Sequence, residues 1–352
     1  MTLKIIVLIL LLAGFKWLYP ASGTNAMAEA PIDKAWWDAL SEEWKSILLI
    51  NQDFSKQGSD IYTIQEEYIN RMQSENEAGY SEMNTSLHEL FEKNKFSLGY
   101  TYFYARALRT KHVVKNEHID LSTLGELDKI YMVNGPADLT PLKKFPNLKV
   151  LILNGCGIDN AVPISRQVLD LEPLRNLKQL QVLHCSSLAL KSIEPLKELV
   201  ELQELRLDHT AVTDLSPLKN LVNLETLCVG SEVERAAVIS GLINLKALYL
   251  KGFRQIPDLS KLEKLKTLSI EENELSIIDA SYRIKTIGFL SVLPNLEYLD
   301  LDNTSYKGNL ALLDSFQHLK AITLPPVNSN AMLEFKTHHN NCIIINAYRY
   351  ER

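Results

Sequence analysis

The sequence predicts an α/β solenoid. The expected form is a right-handed, curved array with short parallel strands on its concave face, closed at the start by a helical cap. Three observations predict it. Rows of the form LxxLxxLxL recur along most of the chain. A second signature, DLxPL or a close variant, stands at 138–142, 170–174, 192–196 and 214–218, at a fixed offset ahead of four of those rows. The residues ahead of the rows lack the repeat and show helical spacing instead.

The rows come first, because a fixed period decides the architecture before any single element does. Rows begin at Leu124, Phe145, Leu177, Leu199, Leu221, Leu242, Leu262, Leu293 and Phe316. A degenerate tenth surrounds Ala105, Leu108 and Thr110. In each row the LxL leucines alternate with outward residues, as the period of two in a strand demands. One repeat cannot bury its own apolar face, so neighbouring repeats must stack. Behind the strand, Pro141, Pro173, Pro195 and Pro217 open one or two helical turns, where a missing N–H costs nothing. Thr140 and Ser216 are expected to cap these turns. Two rows are long, which predicts flank loops at about 158–168 and 278–287.

Residues 199–221 follow the pattern LxxLxxLxLxxTxxxDLSPLxxL nearly letter for letter. The chain thereby resembles the leucine-rich repeat family, in its 22-residue bacterial, internalin-like class. The resemblance covers roughly 105–345. It implies an exported, non-catalytic protein that binds a protein partner through the strand face.

The two ends differ from the array. Residues 29–104 are expected to form a helical cap. Trp37, Leu40, Trp44 and Leu48 mark one amphipathic helix; Ile61, Ile64, Tyr68 and Met72 mark a second; Ser86 and Glu89 form a capping box ahead of a third. The competing reading makes Trp36, Trp37 and Trp44 an aromatic platform in a carbohydrate-binding or adhesive module. The solenoid is assigned to 105–325, with nine to ten repeats, and a C-terminal cap to 326–352. That cap is read as a helix to about His339 and a final strand over Cys342–Asn346. His338 and His339 are read as solvated rather than metal-binding.

The first residues read as a signal peptide over 1–28. Lys4 precedes an apolar run from Ile5 to Phe15, too short to span about 30 Å of hydrocarbon. Cleavage fits after Gly23 or after Ala28. An uncleaved membrane anchor is the alternative, because 15–26 is long for a cleavage region. The implied location is extracytoplasmic: secreted, periplasmic or at the cell surface. The chain has 352 residues, 46% of them hydrophobic, and a net charge of −6, which argues against a nucleic-acid partner. Cys156, Cys185, Cys228 and Cys342 match no zinc or redox spacing and read as small buried hydrophobes.

Candidate sites follow from the register. The residue between each LxL pair points outward: Tyr131, Ile152, His184, Arg206, Cys228, Tyr249, Ser269, Asp300 and Thr323. The next outward column includes Val133, Asn154, Ser186, Asp208, Gly230, Lys251, Glu271, Asp302 and Pro325. From these, Tyr131, Ile152, His184, Arg206, Asp208, Tyr249, Lys251, Glu271, Asp300 and Asp302 are the expected contact residues. The early rungs offer an apolar patch and the late rungs an acidic one. Glu271, Asp300 and Asp302 have no calcium-loop spacing. No catalytic motif occurs in the sequence, and no cofactor is implied. The stretch LRLDHTAVTD, 205–214, looks like an acid–base site in isolation. The register instead sends Asp208 to the strand face, His209 to the rim, Thr210 to an inward ladder position and Asp214 to the opposite turn.

Overall fold

The computed structural model describes residues 32–56, 121–132, 135–153, 168–230, 233, 236–253, 255–272, 283–284, 286–301, 304–306, 310–316, 318–325 and 329–346. One row shows how the sequence makes the fold. The N–H of Leu199 reaches the carbonyl of Leu196 at 2.9 Å, and that of Leu202 reaches Leu199 at 3.1 Å. These are three-residue turns, and a 3-10 turn stacks side chains three apart on one side. Leu196, Leu199 and Leu202 are therefore all sent inward, and all are fully buried. The chain then extends into a strand, Glu204–Leu207, where the period becomes two. Leu205 and Leu207 stay inside; Glu204 and Arg206 go to the other face.

Repetition builds one sheet. Its strands are β1 (Lys129–Tyr131), β2 (Val150–Ile152), β3 (Val182–His184), β4 (Glu204–Leu207) and β5 (Thr226–Gly230). The series continues with β6 (Ala247–Lys251), β7 (Thr267–Glu271), β8 (Tyr298–Asp300), β9 (Ala321–Leu324) and β10 (Ile343–Asn346). Among the described residues they form a ten-stranded sheet in chain order, every neighbouring pair parallel. Ile130, Leu151, Leu183, Leu205, Leu227, Leu248, Leu268, Leu299, Ile322 and Ile344 are successive register partners. Burying one such side chain stabilises the fold by about 1.5–3 kcal/mol. The interior is one continuous apolar cluster from Trp37 to Cys342.

The DLxPL signature closes the far side of each coil. Short 3-10 helices cover Thr140–Lys144, Glu172–Leu174, Glu194–Glu198 and Ser216–Asn220. The capping differs from the sequence expectation. Thr140 and Ser216 are the first helical residues, not the caps. Their N–H groups are instead held by the carboxylates of Asp138 and Asp214 two residues upstream, at 2.9 and 2.8 Å. Asp170 does the same for Glu172 at 2.9 Å. Asx-turn geometry explains why aspartate opens the signature.

The spacing from Trp37 to Leu48 predicts one helix, and the structure divides it. Helix α1 spans Lys34–Ala39 and α2 spans Glu42–Lys56, with Leu40 extended between them. Ser41 is the cause. Its hydroxyl accepts the Trp44 N–H at 3.2 Å, and Glu42 and Glu43 suit a helix start. Helix α2 rests on the edge of the sheet, burying Trp44 and Leu48. Its Asn51 side chain bonds the backbone of Tyr131 twice: Nδ2 donates to the carbonyl at 3.0 Å and Oδ1 accepts the N–H at 2.8 Å. A one-turn helix, α3 (Leu121–Leu124), leads into β1. Helix α4 (Ser329–His338) precedes β10, close to the predicted positions. The second and third helices expected before residue 100, the degenerate row, the apolar leader and Cys156 lie outside the described residues.

Candidate interaction face

The outward positions read from the leucine spacing form one column. Tyr131, Ile152, His184, Arg206, Cys228, Tyr249, Ser269, Asp300 and Thr323 are successive register partners across β1 to β9. Gly230, Lys251 and Glu271 align in the next column. Leucines line one side of every rung and variable residues the other. The fold is a leucine-rich repeat solenoid.

The outward face of the solenoid carries two apolar patches separate from its interior. Tyr131 and Ile152 pack with Val150 on the early rungs. Cys228, Ala247 and Tyr249 pack with Tyr298 further on. Of the ten expected contact residues, His184, Arg206, Lys251, Glu271 and Asp300 are half-buried, while Tyr131, Ile152, Asp208 and Tyr249 are buried. Asp302 lies outside the described residues, as do Val133, Asn154 and most of the two predicted insertions: 158–167 of the first, and 278–282 with 285 of the second.

Between the patches sits a charged cluster that the two outward columns alone do not predict. Glu204 Oε1 lies 2.8 Å from His184 Nε2 and 2.9 Å from Arg206 Nε. Side-chain exposure is 6% for Glu204, 13% for His184 and 12% for Arg206, so these charges act with little screening. Burial opposes ionisation of Glu204, but the hydrogen bond from His184 and the charge of Arg206 outweigh it and hold its carboxyl far below the usual range. Burial also lowers the His184 pKa, against the pull of Glu204. A neutral imidazole beside a carboxylate must donate, so Nε2 carries the proton. The Arg206 guanidinium lies 5.9 Å from the centroid of the Tyr249 ring. The signal for Glu204 was present: strand alternation turns the residue before each LxL outward as well.

The neighbours are tied down in the same way. Asp208 accepts from the Ser186 hydroxyl at 2.5 Å and the Cys228 thiol at 3.3 Å. Burial, then the Asp208 carboxylate, push the Cys228 thiol well up, so it stays protonated and is a poor nucleophile. Lys251 pairs with Glu271 at 2.8 Å, and the Ser269 hydroxyl donates to Asp300 at 2.9 Å. The expected acidic patch is thus partly neutralised from within the face. This is a set of fixed charges rather than a relay that moves protons. Among the described residues no group of three His, Cys, Asp or Glu side chains could hold a metal ion.

The stretch 205–214 divides as the register requires. His209 has a left-handed φ of 55°, as do Ser187 at 58° and Gly252 at 72° at the same point of their rungs. The Thr210 hydroxyl donates to the carbonyl of Leu207 at 2.7 Å, and Thr304 repeats the bond to Leu301 at 2.7 Å. Asp214 holds the next turn.

Two expectations at the ends need correction. Trp37 and Trp44 are buried, and the Trp44 indole donates to the carbonyl of Asp138 at 2.9 Å, so the three tryptophans do not form an open platform. His339 is not solvated: it is buried, stacked on Phe335 with ring centroids 4.4 Å apart. His338 does stay half-exposed, 3.0 Å from Asp314.

No protein-family model and no curated protein matches the chain. Several solved structures do. The solenoid is similar to an internalin from Listeria monocytogenes, at 20% identity and a TM-score of 0.45, over 68% of this chain and 73% of that one. It is similar to internalin C2 from the same species, at 22% identity and 0.41, over 52% and 78%. A leucine-rich repeat protein from Leptospira interrogans aligns at 18% identity and 0.36, over 58% and 68%. The assignment of the solenoid rests on its own rows and register.

Proposed function

We propose that the chain is an exported, non-catalytic binding protein that grips a protein partner with its strand face. The observation that carries this is the half-buried strip Arg206, Lys251, Glu271 and Asp300. Ion pairs and hydrogen bonds hold these side chains on a rigid parallel sheet, beside an aromatic patch. Fixed charges next to aromatic surface are what protein recognition uses, because little side-chain freedom is lost on contact. The buried Tyr249 serves as the floor under Arg206 rather than as a direct anchor. The packed tryptophans leave the carbohydrate-platform reading without support. Export rests on the predicted leader; among the described residues no helix is long and apolar enough to cross a membrane.

The test places a photo-crosslinking residue at Lys251 or Asp300, and as a control at Lys197 on the 3-10 side. In cells that make the chain, one protein should crosslink from the first two positions and not from the third. The charge reversals Lys251→Glu and Asp300→Lys should abolish its capture while leaving circular dichroism unchanged. Crosslinking from Lys197 alone would sink the strand-face reading. N-terminal sequencing of the extracytoplasmic fraction tests the leader; a chain recovered only from cytoplasm refutes export.

A further inference from the structure

The two ends of the sheet are treated differently, and we infer that the last strand, β10, pairs with the β10 of a second copy of this chain.

The backbone register shows which groups are open. Inward residues direct their backbone groups toward the following strand: Met132 donates to the Ile152 carbonyl and Leu153 to that of His184, each at 2.8 Å. Outward residues direct theirs to the preceding strand. At β1 the outward residues are Lys129 and Tyr131; Asn51 occupies both the N–H and the C=O of Tyr131, and helix α2 packs on the strand. The first edge is blocked at Tyr131 by a side chain and a helix. At β10, Ile344 and Asn346 stand in the inward columns, opposite Ile322 and Leu324 of β9. Their N–H and C=O groups therefore face away from β9, and no described residue pairs with them.

Among the described residues this edge also lacks the usual deterrents. Edge strands are commonly protected by charged residues, proline or a bulge. Cys342 to Asn346 reads CIIIN, with no charge and no proline. Ile343 is 46% exposed there, and Leu333 on the preceding helix is 64% exposed.

The closed first edge selects the occupant. Were both edges open, β10 of one copy could add to β1 of the next, head to tail, and grow without limit. With β1 shut, the edge can still meet its own equivalent, and that contact closes on itself. A two-fold axis through Ile345 sets Ile344 opposite Asn346 of the second copy and the reverse. Both are positions whose N–H and C=O face outward, as an antiparallel ladder requires. So short a ladder buries less than a permanent interface does, so the dimer is weak and concentration-dependent.

Sedimentation equilibrium of the 352-residue chain across the micromolar range tests this. The mass should rise from 40.0 kDa toward twice that value and stop there. Asn346→Pro removes an edge-facing N–H, while the pairing with β9 uses residues 343 and 345. This variant should stay at 40.0 kDa with an unchanged melting temperature. Ile344→Pro, which removes the other edge donor, should also stay at 40.0 kDa, at a lower melting temperature because the Ile344 side chain packs against the interior. A parent that is monomeric throughout leaves the edge to a different polypeptide and overturns self-pairing. Growth past two copies overturns the two-fold closure, and a dimer that survives both proline variants overturns the assignment to β10.

Discussion

Replacing Glu204 by Gln keeps the shape of the side chain and removes its charge. In the parent, the carboxylate lies 2.9 Å from Arg206 Nε. At an effective dielectric of about 20, that attraction is about 6 kcal/mol. Desolvating the two charges offsets most of it, so the pair as a whole contributes little. Removing one partner is a different matter, because Arg206 keeps its charge at 12% side-chain exposure. Breaking a buried pair costs about 3–5 kcal/mol, and Gln retains an acceptor, so about 3 kcal/mol is expected. With a urea slope of about 3 kcal/mol/M, the unfolding midpoint should fall by about 1 M. The double variant Glu204→Leu/Arg206→Leu removes both charges and should recover most of that loss. A midpoint shift below about 0.3 M for Glu204→Gln would give the cluster no more weight than an exposed ion pair, and the reasoning fails.

Two further outcomes follow from the same face. Burial lowers the His184 pKa, so below the ordinary value of 6.5 the unfolded chain binds a proton that the folded chain refuses. Stability contributed at neutral pH is therefore lost as pH falls through that window, and Glu204 adds a second loss below its ordinary value of 4.5. Urea midpoints should drop from about pH 8 to about pH 5 in the parent and much less in His184→Gln; equal slopes refute the assignment. At the rim, His209→Gly should raise stability by up to about 1 kcal/mol, because the φ of 55° suits glycine. A loss of stability would mean that the contact of His209 with Lys251, at 3.3 Å, outweighs the strain.

The solenoid and its outward column were legible because they depend on spacing alone. Leucines three apart in a 3-10 turn and two apart in a strand have one way to meet the interior, so the spacing alone places Arg206 and Tyr249. Thr210 was legible for the same reason: a hydroxyl where the chain turns inward has a carbonyl three residues back. What spacing does not carry is pairing between rungs. The bond between Glu204 and His184 joins residues 20 apart whose approach depends on rotamers, and Lys251 with Glu271 is another such pair. The break at Leu40 was lost because the apolar periodicity continues across it while Ser41 starts a new helix. His339 looked solvated in a polar run, and only the fold lays it on Phe335.

The position of Glu204 is itself an argument about purpose. An outward face needs no buried carboxylate to fold; apolar residues of similar volume there are commonly neutral or stabilising. What the carboxylate does provide is direction. It bonds Arg206 at Nε and leaves the guanidinium lying over Tyr249, in one orientation rather than many. Stability and binding should therefore separate in the Glu204→Leu/Arg206→Leu chain, which folds nearly as well as the parent and loses the protein crosslinked from Lys251. Were that double variant to keep its partner, the cluster would be a feature of packing, and the recognition surface would have to lie on other rungs.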